Sequence, residues 1–196
     1  GAGLRAEVAL ILGLANLIGD GFSMAVSNYQ SIATARGQTQ RALKEELRHL
    51  DVVPEGQREE IRQVLVRKGV NGELDEAVNL LVHNRQVASE VIVGQEQGLQ
   101  FQKVNPAIAA LTTFTAFIAV GMLPLLPFAF AGVVGTSLFL ASTVVTALAF
   151  CGIGALRGYV TGENLFRSGL ETLLTGGTAA LLAYGVGHIA RAIGRV

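Results

Sequence analysis

From Val104 to Leu156 the chain runs 53 residues without an Asp, Glu, Lys, Arg or His. A helix crosses the hydrocarbon core of a bilayer with roughly 20 apolar residues, so this stretch is long enough for two crossings. Pro124 and Pro127 fall near its middle. Proline lacks a backbone donor and breaks helices, which makes Leu123 to Phe128 the expected turn of a helical hairpin. Two further spans are expected. Val8 to Ala35 carries one charge, Asp20, before Arg36 ends the run, and Ser168 to Ala190 carries Glu171 near its start and His188 near its end.

Charge placement sharpens this picture. Only 15% of the residues are charged, against about 25% in an ordinary soluble domain. Residues 33 to 104 hold 10 of the 15 basic and 11 of the 15 acidic side chains. The pattern is that of an all-α polytopic membrane protein with four visible transmembrane helices and one polar insert. Its organisation is a transmembrane helix in 1–35, a helical insert in 36–103 and three transmembrane helices in 104–196. A formal net charge of zero without a basic run argues against nucleic acid as a partner. The single cysteine, Cys151, allows no intrachain disulfide.

The first apolar run is long and leads directly into a polar helix, unlike a cleaved signal peptide with its short apolar stretch and small-residue cleavage site. Orientation follows from Lys and Arg near the span ends. The side carrying 36–103 and the loop 157–167 holds 12 basic residues, and the other side holds Arg5, Arg191 and Arg195. This places the insert in the cytoplasm and the C-terminus on the opposite side. Within the insert, helices are expected over 39–50, over 56–68 with Gly69 as terminator, and over 73–97. Val64, Leu65, Ala77, Val78, Leu81, Val82 and Ala88 supply an apolar face at three-to-four spacing.

Asp20 is the most informative single residue, since an ionisable group inside a span is costly and turns toward a protein interior or a pathway. Met24 and Asn28 follow at four and eight positions, on the same helical face. Carboxylate oxygen suits manganese and ferrous iron, and thioether sulfur shifts preference toward softer transition ions. The alternative is structural: Asp20 hydrogen-bonds a neighbouring helix, Met24 packs, and Ser23, Ser27 and Ser31 let helices approach closely. In the insert, Glu46 and His49 form a Glu-x-x-His pair of the spacing used in di-iron bundles, but only one such pair is present. Glu59, Glu60, Gln63 and Glu96 add oxygen donors, with Arg58, Arg62 and Arg67 among them as ordinary ion-pair partners. Glu171 is read as a carboxylate complementing a helix N-terminus, and Gly154 with Gly158 as a close-packing motif. No nucleophile–base pair, Cys–His zinc pattern or phosphate loop is present, so the chain is not read as an enzyme and no prosthetic group is expected.

Three stretches resemble the vacuolar iron transporter family: GLANLIGDGFSMAVSNYQS in the first span, NPAIAALTTFTAFIAVGMLPLLPF in the hairpin, and GALRGYVTGENLFRSGLETLLTGGTAALLAYGVG at the end. The resemblance implies export of ferrous iron or manganese from the cytosol by proton exchange, through a homodimer with its pathway near the subunit interface. It implies a vacuolar or other organelle membrane, or a prokaryotic plasma membrane. The family has five spans with a cytoplasmic insert between the second and third, so the first span visible here corresponds to the family's second. The family's first span normally adds a second aspartate to the path. Asp20, Met24 and Asn28 are then the expected pathway residues, Asn28 standing where many relatives have an acid. Glu46, Glu60 and Glu96 fall at metal-capture positions of the insert, while His49 and Gln57 stand where glutamates are expected. The expected metal ligands are therefore Asp20, Met24, Glu46, His49, Glu60 and Glu96, with Fe2+ or Mn2+ as bound or transported ion and protons and membrane lipid as further partners. The competing class is a non-transporting scaffold or sensor whose insert docks a cytosolic partner. A second rival is a transporter of another solute on the same scaffold.

Overall fold

The computed structural model describes residues 5–70, 72–96, 98–99, 101, 104–130 and 137–194. Among them every regular element is helical. Four helices are long and apolar enough to cross a membrane, as the charge-free runs require. These are α1 (Ala6–Val52), α5 (Pro106–Met122) continued by a short turn, α7 (Leu138–Thr161) and α8 (Leu165–Gly194). The turn after α5 consists of a 3-10 segment, Leu123–Leu125, and a single helical turn, α6 (Leu126–Ala129). Pro124 and Pro127 sit at the starts of these two pieces, where a missing N–H costs nothing.

Two compact units divide the chain, one of residues 1–24 with 112–196 and one of 25–111. In the first, α1 packs through small residues. A Cβ on Gly13 would lie 2.6 Å from Leu125, one on Gly21 3.0 Å from Phe117, and one on Gly121 2.2 Å from Leu17. Helices α7 and α8 form a close antiparallel pair. Gly162, at φ 74°, reverses the chain between them, and the Glu163 amide donates to Gly158 O at 2.9 Å. Asn164 then caps α8, its Oδ1 accepting from the amides of Phe166 (3.0 Å) and Arg167 (3.1 Å). The last helix thus begins at Leu165, one turn earlier than the apolar run suggests. In consequence Glu171 lies in its second turn, away from the helix N-terminus. It pairs instead with Arg167 (3.0 Å) and Arg157 (3.7 Å), which corrects the dipole reading. The close approach sits at Gly154, where a Cβ would meet Ser168 O at 2.5 Å and Gly169 Cα at 2.6 Å.

In the second unit, the first insert helix is no separate element. It is the unbroken continuation of α1 to Val52, because nothing between Ala35 and Leu50 interrupts helical hydrogen bonding. Pro54 starts α2 (Pro54–Arg67). Gly69, at φ 85°, closes it with amide bonds from Gly69 to Val66 O (2.9 Å) and from Val70 to Leu65 O (3.1 Å), as the sequence anticipates. The third expected helix is two, α3 (Leu74–His83) and α4 (Arg85–Glu96), broken at Asn84. Asn84 leaves helical geometry at φ −101°, ψ 80°, and its side-chain oxygen accepts from the Val87 amide. Asparagine competes for local backbone donors in this way and so favours helix ends over helix interiors. The break lets α4 fold back on α2. Leu50, Ile61, Val78, Ala88 and Ile92 form the buried core, with Leu47, Leu65, Leu81 and Val82 around it. At the rim, Arg85 donates to Leu47 O at 3.1 Å, tying α4 to the end of α1, and Arg62 bridges α2 to Asp75 of α3.

Candidate functional site

Leu17, Gly21 and Ala25 form the buried stripe of α1, spaced by four residues as a packed helix face requires. Asp20 stands one residue before Gly21, about 100° around the helix. It is therefore turned off the packed stripe and is exposed, as are Ser23, Met24 and Ser27. Asp20 forms no hydrogen bond or ion pair with the described residues. Its flanks are apolar and also exposed: Ile18 at 57% and Phe22 at 64%. A carboxylate at the centre of a bilayer costs about 2.5–3.5 kcal/mol even on the lenient insertion scale. The helix register thus holds an ionisable oxygen donor at mid-span, with a thioether one turn away, on a face that this part of the chain leaves open.

Asn28 is placed differently. It is half-buried, and its Nδ2 donates to Ala109 O near the start of α5 at 3.4 Å. The carboxamide is engaged with backbone in the unit it shares with Ala109.

In the insert, Glu46 is buried and its Oε2 lies 3.9 Å from Nδ1 of half-exposed His49. The Glu-x-x-His pair is thus brought together by the continuation of α1. Gln57 is buried on α2 with its Oε1 lacking a partner among the described residues, and Glu60 on the same helix is half-buried. No group of three or more His, Cys, Asp or Glu able to hold a metal occurs among the described residues. Glu96 ends α4, and its side chain lies outside them. Glu59 pairs with Arg62 at 3.6 Å and takes a bond from Gln63 at 3.4 Å, as a solvated helix face does.

Two features escape a reading of the sequence alone. The Arg157 guanidinium lies 3.6 Å from Glu163 and 3.7 Å from Glu171, clamping the α7–α8 turn. Its signal was only a run of charges at a span end. On the continuation of α1, Arg41, Lys44 and Arg48 share one exposed face at i, i+3 and i+7, a spacing hidden by the neutral net charge of the chain.

The VIT family model matches residues 1–188. This chain belongs to the VIT family. Among its curated relatives, "Vacuolar iron transporter 1" of Eucalyptus grandis is 29% identical over 190 residues, covering 95% of this chain and 75% of that protein. "Vacuolar iron transporter 1" of Arabidopsis thaliana is 28% identical over 188 residues, 94% of this chain and 74% of its own. A "Vacuolar iron transporter" of Toxoplasma gondii is 28% identical over 199 residues, covering 96% and 66% respectively. The VIT match takes in the whole of α1, the insert, α7 and α8 as far as His188, so the Asp20 face and the Glu46–His49 pair both lie inside the family region.

Proposed function

We propose that this chain is a metal ion transporter that moves ferrous iron and manganese out of the cytosol in exchange for protons. The names of its VIT relatives, vacuolar iron transporters, support iron as cargo. The observation that carries the reading is Asp20, an exposed mid-span carboxylate without a partner among the described residues. A carboxylate in a low-dielectric setting is stabilised by a cation or by a proton, and metal–proton exchange presents both in turn. Asp20 binds the ion when ionised and takes a proton after release. Met24 supplies a softer donor that disfavours magnesium, and Asn28 lines the same helix. A second copy of the chain facing the open side of α1 closes the path, giving a homodimer. The reading sets the insert in the cytoplasm and the protein in an organelle membrane or a prokaryotic plasma membrane.

Proton exchange is tested in sealed vesicles holding the purified chain and a pH-sensitive dye, with an acidic interior. Manganese added outside is expected to enter and to alkalinise the interior. Metal entry without any proton movement contradicts the exchange. In the same vesicles, Met24→Leu is expected to keep manganese flux and to let magnesium compete more effectively, with expression unchanged. Unaltered magnesium competition assigns Met24 to packing.

The insert serves this reading as a weak capture site built from Glu46, His49, Glu60 and Glu96. The 3.9 Å approach of Glu46 to His49 supports it, and hard oxygens with one imidazole suit manganese and ferrous iron. Titration of the full chain in detergent with manganese is expected to show a second, weaker class of site that Glu46→Ala, Glu60→Ala removes while Asp20→Asn leaves it in place. Equal heats in the double variant and the parent leave these residues as a solvated face.

A further inference from the structure

The continuation of α1 beyond the apolar run carries Arg41, Lys44 and Arg48 on one face, all exposed. They line a shallow groove of about 420 Å³ together with Glu45. The buried residues of the same segment, Thr39, Ala42, Glu46 and Leu50, lie on the opposite side of the helix. None of the three cations pairs with an acid among the described residues, although Glu45 is beside them in the groove. Arg62 and Arg85 hold Asp75 and Asp51; Arg41, Lys44 and Arg48 are left as an unneutralised cationic stripe.

The place of this stripe is fixed by helix continuity. Arg36 marks the end of the apolar run, and α1 has no break before Val52. At 1.5 Å per residue, Arg41 lies roughly 8 Å, Lys44 roughly 12 Å and Arg48 roughly 18 Å beyond Arg36 along the axis. The headgroup layer adds about 5–7 Å to each side of the hydrocarbon core. Side chains on an α-helix lean toward its N-terminus, which here is the membrane side. Arg41 and Lys44 therefore reach back to the headgroup layer through long side chains that extend several ångströms in that direction, while Arg48 stands beyond the layer, within reach only of a headgroup that protrudes from it. A juxtamembrane cluster of this kind, with Arg36 as a fourth charge at its foot, meets the charge of an anionic leaflet within about one Debye length.

We propose that the Arg41–Lys44–Arg48 face of α1 binds the phosphate-bearing headgroup of an anionic phospholipid, and that this is a site separate from the metal path. The groove takes one headgroup phosphate between Arg41 and Lys44, with Arg48 reaching a second phosphate on an extended headgroup such as that of a phosphoinositide. Lipid recognition here does not depend on transport, so it stands or falls independently of the Asp20 reading.

The full chain is placed in nanodiscs of neutral phosphatidylcholine doped with a fluorescent phosphoinositide, and energy transfer from a dye on Cys151 reports lipid enrichment around the protein. Enrichment over neutral lipid is expected, falling roughly fivefold for each cation removed in Arg41→Gln, Lys44→Gln and Arg48→Gln. Arg67→Gln with Lys68→Gln, which lowers net charge by two at the far end of α2, is expected to leave it unchanged. Equal loss in that control assigns the effect to overall charge and overturns the proposal, as does an unchanged signal in the triple variant. Soluble inositol hexakisphosphate at the lipid's local concentration is expected to displace little. Full displacement makes the ligand a free polyphosphate instead. Should the triple variant fold poorly, Arg41→Lys with Arg48→Lys is expected to retain enrichment, and its loss counts against charge recognition.

Discussion

Asp20→Asn is expected to reduce metal flux to the level of empty vesicles while leaving folded protein in the membrane. The substitution preserves shape and removes the charge that attracts a divalent ion and the oxygen that accepts a proton. Folding should survive because Asp20 makes no contact with the described residues that asparagine would break, and its neighbours Leu17, Gly21 and Ala25 keep the packed stripe. A neutral amide is also less costly than a carboxylate in hydrocarbon, so expression should hold or rise. Wild-type rates of iron and manganese transport in this variant would assign Asp20 a structural role and move the pathway elsewhere. Asp20→Glu gives a second reading, since it keeps the charge and displaces it by one methylene; partial flux is expected.

The second large effect is one of packing. Gly154→Val is expected to destabilise the α7–α8 pair by about 2–3 kcal/mol, in the upper range for overpacking, and to be seen as loss of monodisperse protein and a lower Tm. A Cβ at that position meets backbone, namely Ser168 O at 2.5 Å and Gly169 Cα at 2.6 Å, and backbone cannot swing aside as a side chain can. Gly152→Ala, two residues away, meets nothing within 4 Å and is the matched control. It should be neutral or gain up to about 1 kcal/mol of helix propensity. If Gly154→Val is as stable as Gly152→Ala, the two helices do not approach as described.

Much of the fold was legible because a bilayer makes simple demands. The charge-free run gave two apolar helices, with Pro124 and Pro127 marking where α5 passes into the 3-10 segment and α6 rather than a turn of the chain, and Gly69 gave the end of α2. The insert core was legible in part: Val78, Leu81 and Ala88 were visible by spacing, while Leu50 and Ile92, which share that core, were not. Sequence spacing missed two kinds of detail. One is continuity: Arg36 looks like the end of a helix, yet a charge ends only an apolar run, and α1 carries on through it to Val52. The other is local competition for backbone bonds. Asn84 breaks the insert's last helix and Asn164 starts α8 early, both through side-chain oxygens that no hydrophobic pattern registers. At the candidate site, the Asp20–Met24 face was readable from periodicity. The engagement of Asn28 with Ala109 O was not, because its partner lies 81 residues away in sequence.

Transport of transition metal ions across a membrane by this chain is read out by metal entry into sealed vesicles reconstituted with the purified protein. Iron, kept ferrous by a reductant, and manganese are each offered outside, with a metal-quenched dye within and excess magnesium present. Quenching well above that of protein-free vesicles is expected for both ions, insensitive to magnesium and lost in Asp20→Asn. Quenching no faster than in protein-free vesicles, from protein shown to be folded and inserted in both orientations, would contradict it and favour a membrane scaffold or sensor.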